Sequence, residues 1–330
     1  MAESIIEKIV SGDVKAAAKL IRDIDDGAPG AREVLKGLYR HTGHAYIIGI
    51  TGAPGVGKST VVDQMVRGFR KNGKTVGVLA VDPTSPLSGG AILGDRIRMQ
   101  RHSLDDGVFI RSLATRGQFG GLTQSTRSAI LVLDAMGKDY VIVETVGVGQ
   151  DEIDIATSAH TTVIVVVPGM GDHIQAIKAG IFEVGDIFLI NKSDRPDAQK
   201  TLGDLKGMID ISSKKFKKEG WEPPILMAEA ISNKGIAELL DEIEKHRKST
   251  EAMSRESAIR RRKAIVRFEL TDMIRSRLVQ EALNRITSSP RFNECVDCII
   301  DGSKDPYSAC DELLFASLNL PGDEDTEHSR

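Results

Sequence analysis

Nine residues constrain this chain more than any other stretch: Gly52-Ala53-Pro54-Gly55-Val56-Gly57-Lys58-Ser59-Thr60. They match G-x-x-x-x-G-K-S/T, a loop whose backbone N–H groups cradle phosphate. An apolar, β-branched run from Tyr46 to Thr51 precedes them, and a helix-compatible run from Thr60 to Lys71 follows. A strand feeding a glycine-rich turn that opens a helix aims several N–H groups at one spot. The helix dipole adds partial positive charge there, so an anion binds. In such a loop Lys58 reaches the β- and γ-phosphates of a nucleotide and the Ser59 hydroxyl ligates Mg²⁺.

The rest of the chain fits a fold that presents such a loop. Residues 1–44 carry apolar residues at helical spacing, interrupted by Asp25-Asp26-Gly27-Ala28-Pro29-Gly30. From Ala45 onward, short apolar strands alternate with longer segments. The strand candidates are 46–51, 75–82, 108–112, 140–145, 161–167, 187–191 and 224–228. Val163-Ile164-Val165-Val166-Val167 has no polar alternation, as expected of a strand buried on both faces of a parallel sheet. The expectation is an α/β fold, a doubly wound, mostly parallel sheet of the P-loop NTPase type, with its ligand at the carboxyl ends of the strands. Residues 254–286 lack Gly and Pro and predict one long helix. The expected domains are a helical extension over 1–44, a nucleotide-binding domain over 45–248 and a helical arm over 249–330.

Bulk properties narrow the function classes. A net charge of −3 gives no electrostatic case for nucleic acid or an anionic membrane surface. No apolar run is long enough to span a bilayer, and the first residues lack the pattern of a secretory signal. Three cysteines argue against a disulfide framework and for a reducing, cytoplasmic setting. Cys295-Val296-Asp297-Cys298 with Cys310 supplies too few ligands for a structural zinc site, so these are expected to be small buried apolar residues. The run Arg260-Arg261-Arg262-Lys263 is either a solvated helix surface or a dock for an acidic partner.

A second nucleotide signature follows the strand candidate 187–191. Asn191-Lys192-Ser193-Asp194 is N-K-x-D, in which the carboxylate accepts hydrogen bonds from guanine N1–H and the 2-amino group. Adenine lacks that donor pair, so such a site rejects ATP by leaving buried polar groups unpaired. Lys192 would lie over the base, Asn191 would brace the loops, and the Ala230 N–H would meet the guanine carbonyl. The strand candidate 140–145 ends in Glu144-Thr145-Val146-Gly147, E-x-x-G where most GTPases have D-x-x-G.

That glutamate together with an intact N-K-x-D resembles the G3E family of GTPases. Val81-Asp82-Pro83-Thr84-Ser85-Pro86, the stretch from Gly89 to Met99, Ser112 to Gly117, Glu144 to Gln150 and Pro168 to Lys178 are similar to its MeaB/ArgK-like branch, GTPase chaperones associated with methylmalonyl-CoA mutase. The resemblance runs from about residue 5 to about residue 245. It implies GTP and GDP as ligands, Mg²⁺ as cofactor, a cobalamin-dependent acyl-CoA mutase as partner, and a homodimer formed through the C-terminal arm. Lys58 would neutralise phosphate charge. Ser59, Asp82, Asp95 and Glu144 would hold Mg²⁺ or its waters, and the Gly147 amide would sense the γ-phosphate. The alternative for Asp82 is a helix N-cap or turn residue before Pro83, and for Asp95 a surface partner of Arg96 or Arg98. Val148 stands where a water-positioning glutamine usually follows, leaving Gln150 as the nearest substitute, or as a polar residue at a helix start. No arginine is visibly placed as a finger, with Arg98, Arg111 and Arg116 as candidates. Slow intrinsic hydrolysis, accelerated by a partner, is therefore expected. Residues 83–121, 147–160 and 168–182 are expected to act as switches, with Asp172, Gln175 and Lys178 in the last. Nickel delivery and a kinase of an amino-acid transport system remain rival readings. The first usually brings a His/Cys-rich tract, and the seven histidines here are scattered.

Overall fold

The computed structural model describes residues 2–82, 99–102, 104–114, 124–145, 155, 157–169, 184–216, 221–252 and 255–318. They form two compact units, Met1–Ala258 and Ile259–Arg330.

The first unit is built on seven parallel strands: β1 Tyr46–Thr51, β2 Val76–Asp82, β3 Val108–Ala114, β4 Tyr140–Thr145, β5 Thr161–Val166, β6 Ile187–Asn191 and β7 Ile225–Ala228. Their order is β3-β2-β4-β1-β5-β6-β7, so β1, which leads into the phosphate loop, is central. From β1 the chain passes to β2, β3 and β4 on one side of it and then to β5 on the other, and this reversal is where an open α/β sheet binds ligands. β4, β5 and β6 are buried along their whole length, which is why they read as unbroken apolar runs.

Alternate strand residues serve opposite faces. Ile48, Ile50, Val78, Ile142, Val163 and Leu189 pack with Val61, Val62 and Met65 of α4 (Lys58–Lys71), and with Leu239 and Ile243 of α7 (Ile236–Glu251). On the other face Leu79, Val81, Val141 and Val143 pack with α1 (Ala2–Val10), α2 (Val14–Asp25), α3 (Ala31–Leu38) and α5 (Gln124–Ala135). Phe188 and Ile190 continue that layer against Leu205 and Ile209 of α6 (Ala198–Phe216). The first three helices thus share a core with the sheet. Their link into β1 is pinned by Asp134 of α5, whose carboxylate accepts the backbone N–H groups of Gly43, His44 and Ala45 at 2.6, 3.0 and 2.9 Å.

The second unit contains most of α8 (Arg255–Thr287), then α9 (Pro290–Ile300) and α10 (Pro306–Leu318). Ile286, Cys295, Ala309 and Leu313 make its small core. The three cysteines are free, but they are not uniformly buried as expected from sequence: Cys298 is half-buried and Cys310 exposed. Cys310 falls on the solvent side of α10, next to the inward-facing Ala309. Among the described residues, no helix is long and apolar enough to cross a membrane.

Candidate functional site

The phosphate loop leaves β1 at Thr51 and enters α4 through Gly57, whose φ of 94° is left-handed. Gly52 lies in the same disfavoured region at φ 141°, and a Cβ there would come within 2.1 Å of the Val165 carbonyl oxygen on β5. Neither position accommodates a side chain, so the loop's glycines follow from its geometry. The buried Lys58 ammonium folds back on the loop and donates to the carbonyls of Gly52 at 2.7 Å and Ala53 at 3.1 Å. That leaves a cation at the positive end of a helix, where an anion is the natural complement.

Beside it, the Ser59 hydroxyl donates to Glu144 Oε1 at 2.7 Å. Both residues are buried. Strand register explains the meeting: Glu144 on β4 lies opposite Ile50 of β1 and Ala80 of β2, one residue before the strand's end. Asp82 closes β2, immediately after the Val81–Thr145 pair, so its backbone reaches the same edge of the sheet. A hydroxyl and a carboxylate are oxygen donors, which suit Mg²⁺.

Asn191 braces three loops. Its Nδ2 donates to the Val56 carbonyl at 2.8 Å, and its Oδ1 accepts the Ala230 N–H at 3.1 Å. A Cβ on Gly57 would strike that amide group at 2.5 Å. Lys192, in left-handed backbone at φ 57°, donates from Nζ to the Gly55 carbonyl at 2.8 Å. These contacts border an open cavity of about 200 Å³ lined by Gly57, Thr60, Asn191, Lys192, Asp194, Glu229, Ala230, Ile231 and Ser232. The loops after β6 and β7 supply its polar edge and the phosphate loop its floor. Delivering the Ala230 N–H to a base carbonyl requires sharing or exchanging its bond to Asn191.

Three lining residues escaped the sequence reading. Glu229 accepts hydrogen bonds from Ser232 Oγ and Lys234 Nζ, both at 2.8 Å, and Lys234 followed by Ser232 holds its carboxyl below the usual range. Ile231 is 85% exposed at the rim. Their one sequence signal is adjacency to Ala230, because the turn that places them depends on a bridge between Glu229 and Lys234.

The structure therefore brings together Lys58, Ser59 and Glu144, and separately joins Asn191, Lys192, Asp194 and Ala230 to the loop running from Gly52 through Ala53, Pro54, Gly55, Val56 and Gly57 to Thr60. Asp95, Gly147 and Gln150 lie outside the described residues, as do Arg98, Arg116, His173, Asp172, Gln175 and Lys178. Arg111 sits on the outer strand β3, opposite Leu79 and three residues short of the strand's end. His160 has a packing role: its Nδ1 accepts the Ile47 N–H at 2.9 Å and its ring stacks on Tyr46.

Comparison with known proteins identifies the family. A relative from Pyrococcus abyssi, named as a GTPase, is 47% identical over 314 residues, covering 95% of this chain and 96% of its own. GTPase ArgK of Escherichia coli is 31% identical, covering 89% of this chain and 88% of its own. A crystal structure described as a LAO/AO transport system kinase shares the fold, with a TM-score of 0.65 at 23% identity, covering 94% of this chain and 96% of that one. Residues 18–287 match the sequence profile described as "Methylmalonyl Co-A mutase-associated GTPase MeaB". With that match across most of its length, the chain belongs to the MeaB family of P-loop GTPases.

Proposed function

We propose that this GTPase uses its nucleotide state to gate a cobalamin-dependent acyl-CoA mutase, controlling adenosylcobalamin loading and protecting the mutase. The observation that carries the reading is the family match over residues 18–287, whose description names the mutase. The physical site supports the nucleotide half of it. Lys58 exchanges its two loop carbonyls for β- and γ-phosphate oxygens when GTP enters, and the loop N–H groups bind the remaining charge. Asp194 selects guanine from the cavity edge while Asn191 holds the phosphate loop and the turn at Ala230 in register.

Ser59 and Glu144, with Asp82 and Asp95 as further carboxylates, would hold Mg²⁺. The ion supplies Lewis-acid stabilisation of the phosphate oxygens as charge moves. Ser59 and Glu144 are already 2.7 Å apart, so little rearrangement of this pair is needed. Gln150 is the residue for orienting the attacking water, and Val148, in the usual glutamine position, makes unassisted hydrolysis slow. Turnover then reports a conformational state that the mutase reads.

The same reading makes the protein a cytoplasmic homodimer. Ile259, Val266, Leu270, Met273, Leu278 and Leu283 of α8 are exposed apolar residues, and a helix this long gains by covering them with a second copy. The direct test is affinity capture from the source cell with the protein held by a non-hydrolysable GTP analogue or by GDP. Recovery of a cobalamin mutase that depends on the nucleotide supports the reading; recovery of none in either state contradicts it.

A further inference from the structure

A carboxylate that neither nucleotide motif accounts for lines the cavity with Asp194: that of Glu229. Backbone pairing brings the two acids to one rim. Asn191 at the end of β6 lies opposite Ala228 at the end of β7, and the Ser193 N–H donates to the Ala228 carbonyl at 3.0 Å. Asp194 and Glu229 each follow one residue beyond that bonded pair. The turn after Glu229 then closes on itself. Glu229 and Lys234 exchange backbone N–H···O bonds at 3.1 and 3.2 Å, and Asn233 supplies the left-handed step at φ 58°. Asparagine is one of the few residues that adopt that conformation routinely.

The two acids are partnered differently. Ser232 Oγ and Lys234 Nζ both donate to Glu229 Oε2 at 2.8 Å. Among the described residues, no hydrogen bond reaches Glu229 Oε1 or the Asp194 carboxylate. Glu229, and after it a smaller pull from Asp194, holds the Lys234 ammonium above the ordinary lysine range. One cation therefore offsets the repulsion between two carboxylates on the same rim. Guanine offers three N–H donors along its N1/C2 edge, one on N1 and two on the 2-amino group. A single aspartate meets N1–H and one amino hydrogen with its two oxygens, which leaves the other amino hydrogen over.

We propose that Glu229 is a second specificity-determining residue of the cavity: its Oε1 accepts the 2-amino hydrogen that Asp194 leaves over, while Ser232 and Lys234 hold Oε2. The proposal rests on the reading that the cavity takes guanine with its N1/C2 edge on Asp194. It separates Glu229 from a residue that merely shapes the turn, whose loss would weaken every nucleotide alike.

The test is calorimetric titration of the full-length protein with GDP and with IDP, whose base keeps N1–H and the 6-carbonyl and lacks the 2-amino group. In Glu229→Ala, GDP affinity falls about tenfold, as for loss of a hydrogen bond to a charged acceptor, and IDP affinity stays at the wild-type value. In Glu229→Gln the amide oxygen takes over the bonds from Ser232 and Lys234 and the NH₂ group faces the base, so the loss is again confined to GDP. This second variant decides the matter if Glu229→Ala loosens the turn and weakens both nucleotides. Equal weakening of GDP and IDP in Glu229→Gln overturns the proposal, and so does wild-type GDP affinity in either variant. Wild type that binds ADP as tightly as GDP would overturn the guanine reading and the proposal with it, a result distinct from guanine-selective wild type with unaltered variants.

Discussion

The Ser59 hydroxyl on α4 and the Glu144 carboxylate on β4 meet at 2.7 Å. The contact joins the first turn of the phosphate-binding helix to the strand beside β1, and it puts the E-x-x-G glutamate next to the hydroxyl proposed to ligate Mg²⁺. Replacing Glu144 by Gln keeps the size and removes the charge. GTP hydrolysis at saturating Mg²⁺ is expected to fall about 10²-fold, as for loss of one electrostatic group at a reacting centre. GDP affinity in EDTA should stay at the wild-type value. Single-turnover hydrolysis and GDP titration of the same preparation check both halves.

Gly52→Ala tests the loop's geometry. Its Cβ would lie 2.1 Å from a backbone oxygen of β5, which cannot swing aside as a side chain can. The strained φ adds about 1 kcal/mol or more. Nucleotide binding should be lost and the melting temperature should drop, measured by calorimetry and thermal denaturation. Gly55→Ala is the control: its φ of 78° carries the backbone strain, but nothing lies within 4 Å of the added methyl. It should therefore cost less stability than Gly52→Ala.

Asp134→Ala tests the seam between the N-terminal helices and the sheet. Three backbone donors converge on this buried carboxylate, and its removal leaves them without it. A loss of about 3 kcal/mol is expected from hydrogen bonds to a charged acceptor. Denaturant unfolding measures it, with the GDP affinity of the remaining folded protein unaltered.

His102 is expected to give the fold a pH dependence. Burial, and then the Arg101 guanidinium, pushes its pKa below the ordinary histidine value, against a weaker opposing pull from Asp105. The unfolded chain therefore binds a proton that the folded chain refuses. The stability this neutral imidazole confers is complete above about pH 6.5 and declines as pH falls through that value toward the lower folded-state pKa. Unfolding free energies between pH 5 and 8 should show this slope. His102→Gln should make it shallower by up to about 1.4 kcal/mol per pH unit.

The two ends of the site differ in how legible they were. The phosphate loop and N-K-x-D could be read directly because each is a short contiguous run of fixed residue types at fixed spacing. Strands β1, β4 and β6 start and stop at the expected residues because burial on both faces leaves continuous Val/Ile runs with polar ends. The hydrogen bonds of Arg101 and His102 with Asp63 on α4 could not be read, since they span 38 and 39 residues and leave no periodic trace. Glu229, Ile231 and Ser232 were missed for the same reason on a smaller scale, because a tight turn, and no spacing rule, carries them to the cavity. Cys310 was misjudged because neighbouring positions on α10 are turned about 100° from one another, and cysteine's general tendency toward burial does not say which face is inward.

The pocket's choice of purine is the most direct test of the whole account. Calorimetry would compare GDP, ADP and XDP on wild type and on Asp194→Asn. The account predicts wild-type GDP affinity at least about 100-fold above that for ADP, because an unmatched carboxylate rejects adenine. It also predicts that Asp194→Asn weakens GDP and gains affinity for XDP, whose C2 carbonyl accepts from the new amide. ADP bound as tightly as GDP by the wild type, or GDP affinity indifferent to Asp194→Asn, would contradict it.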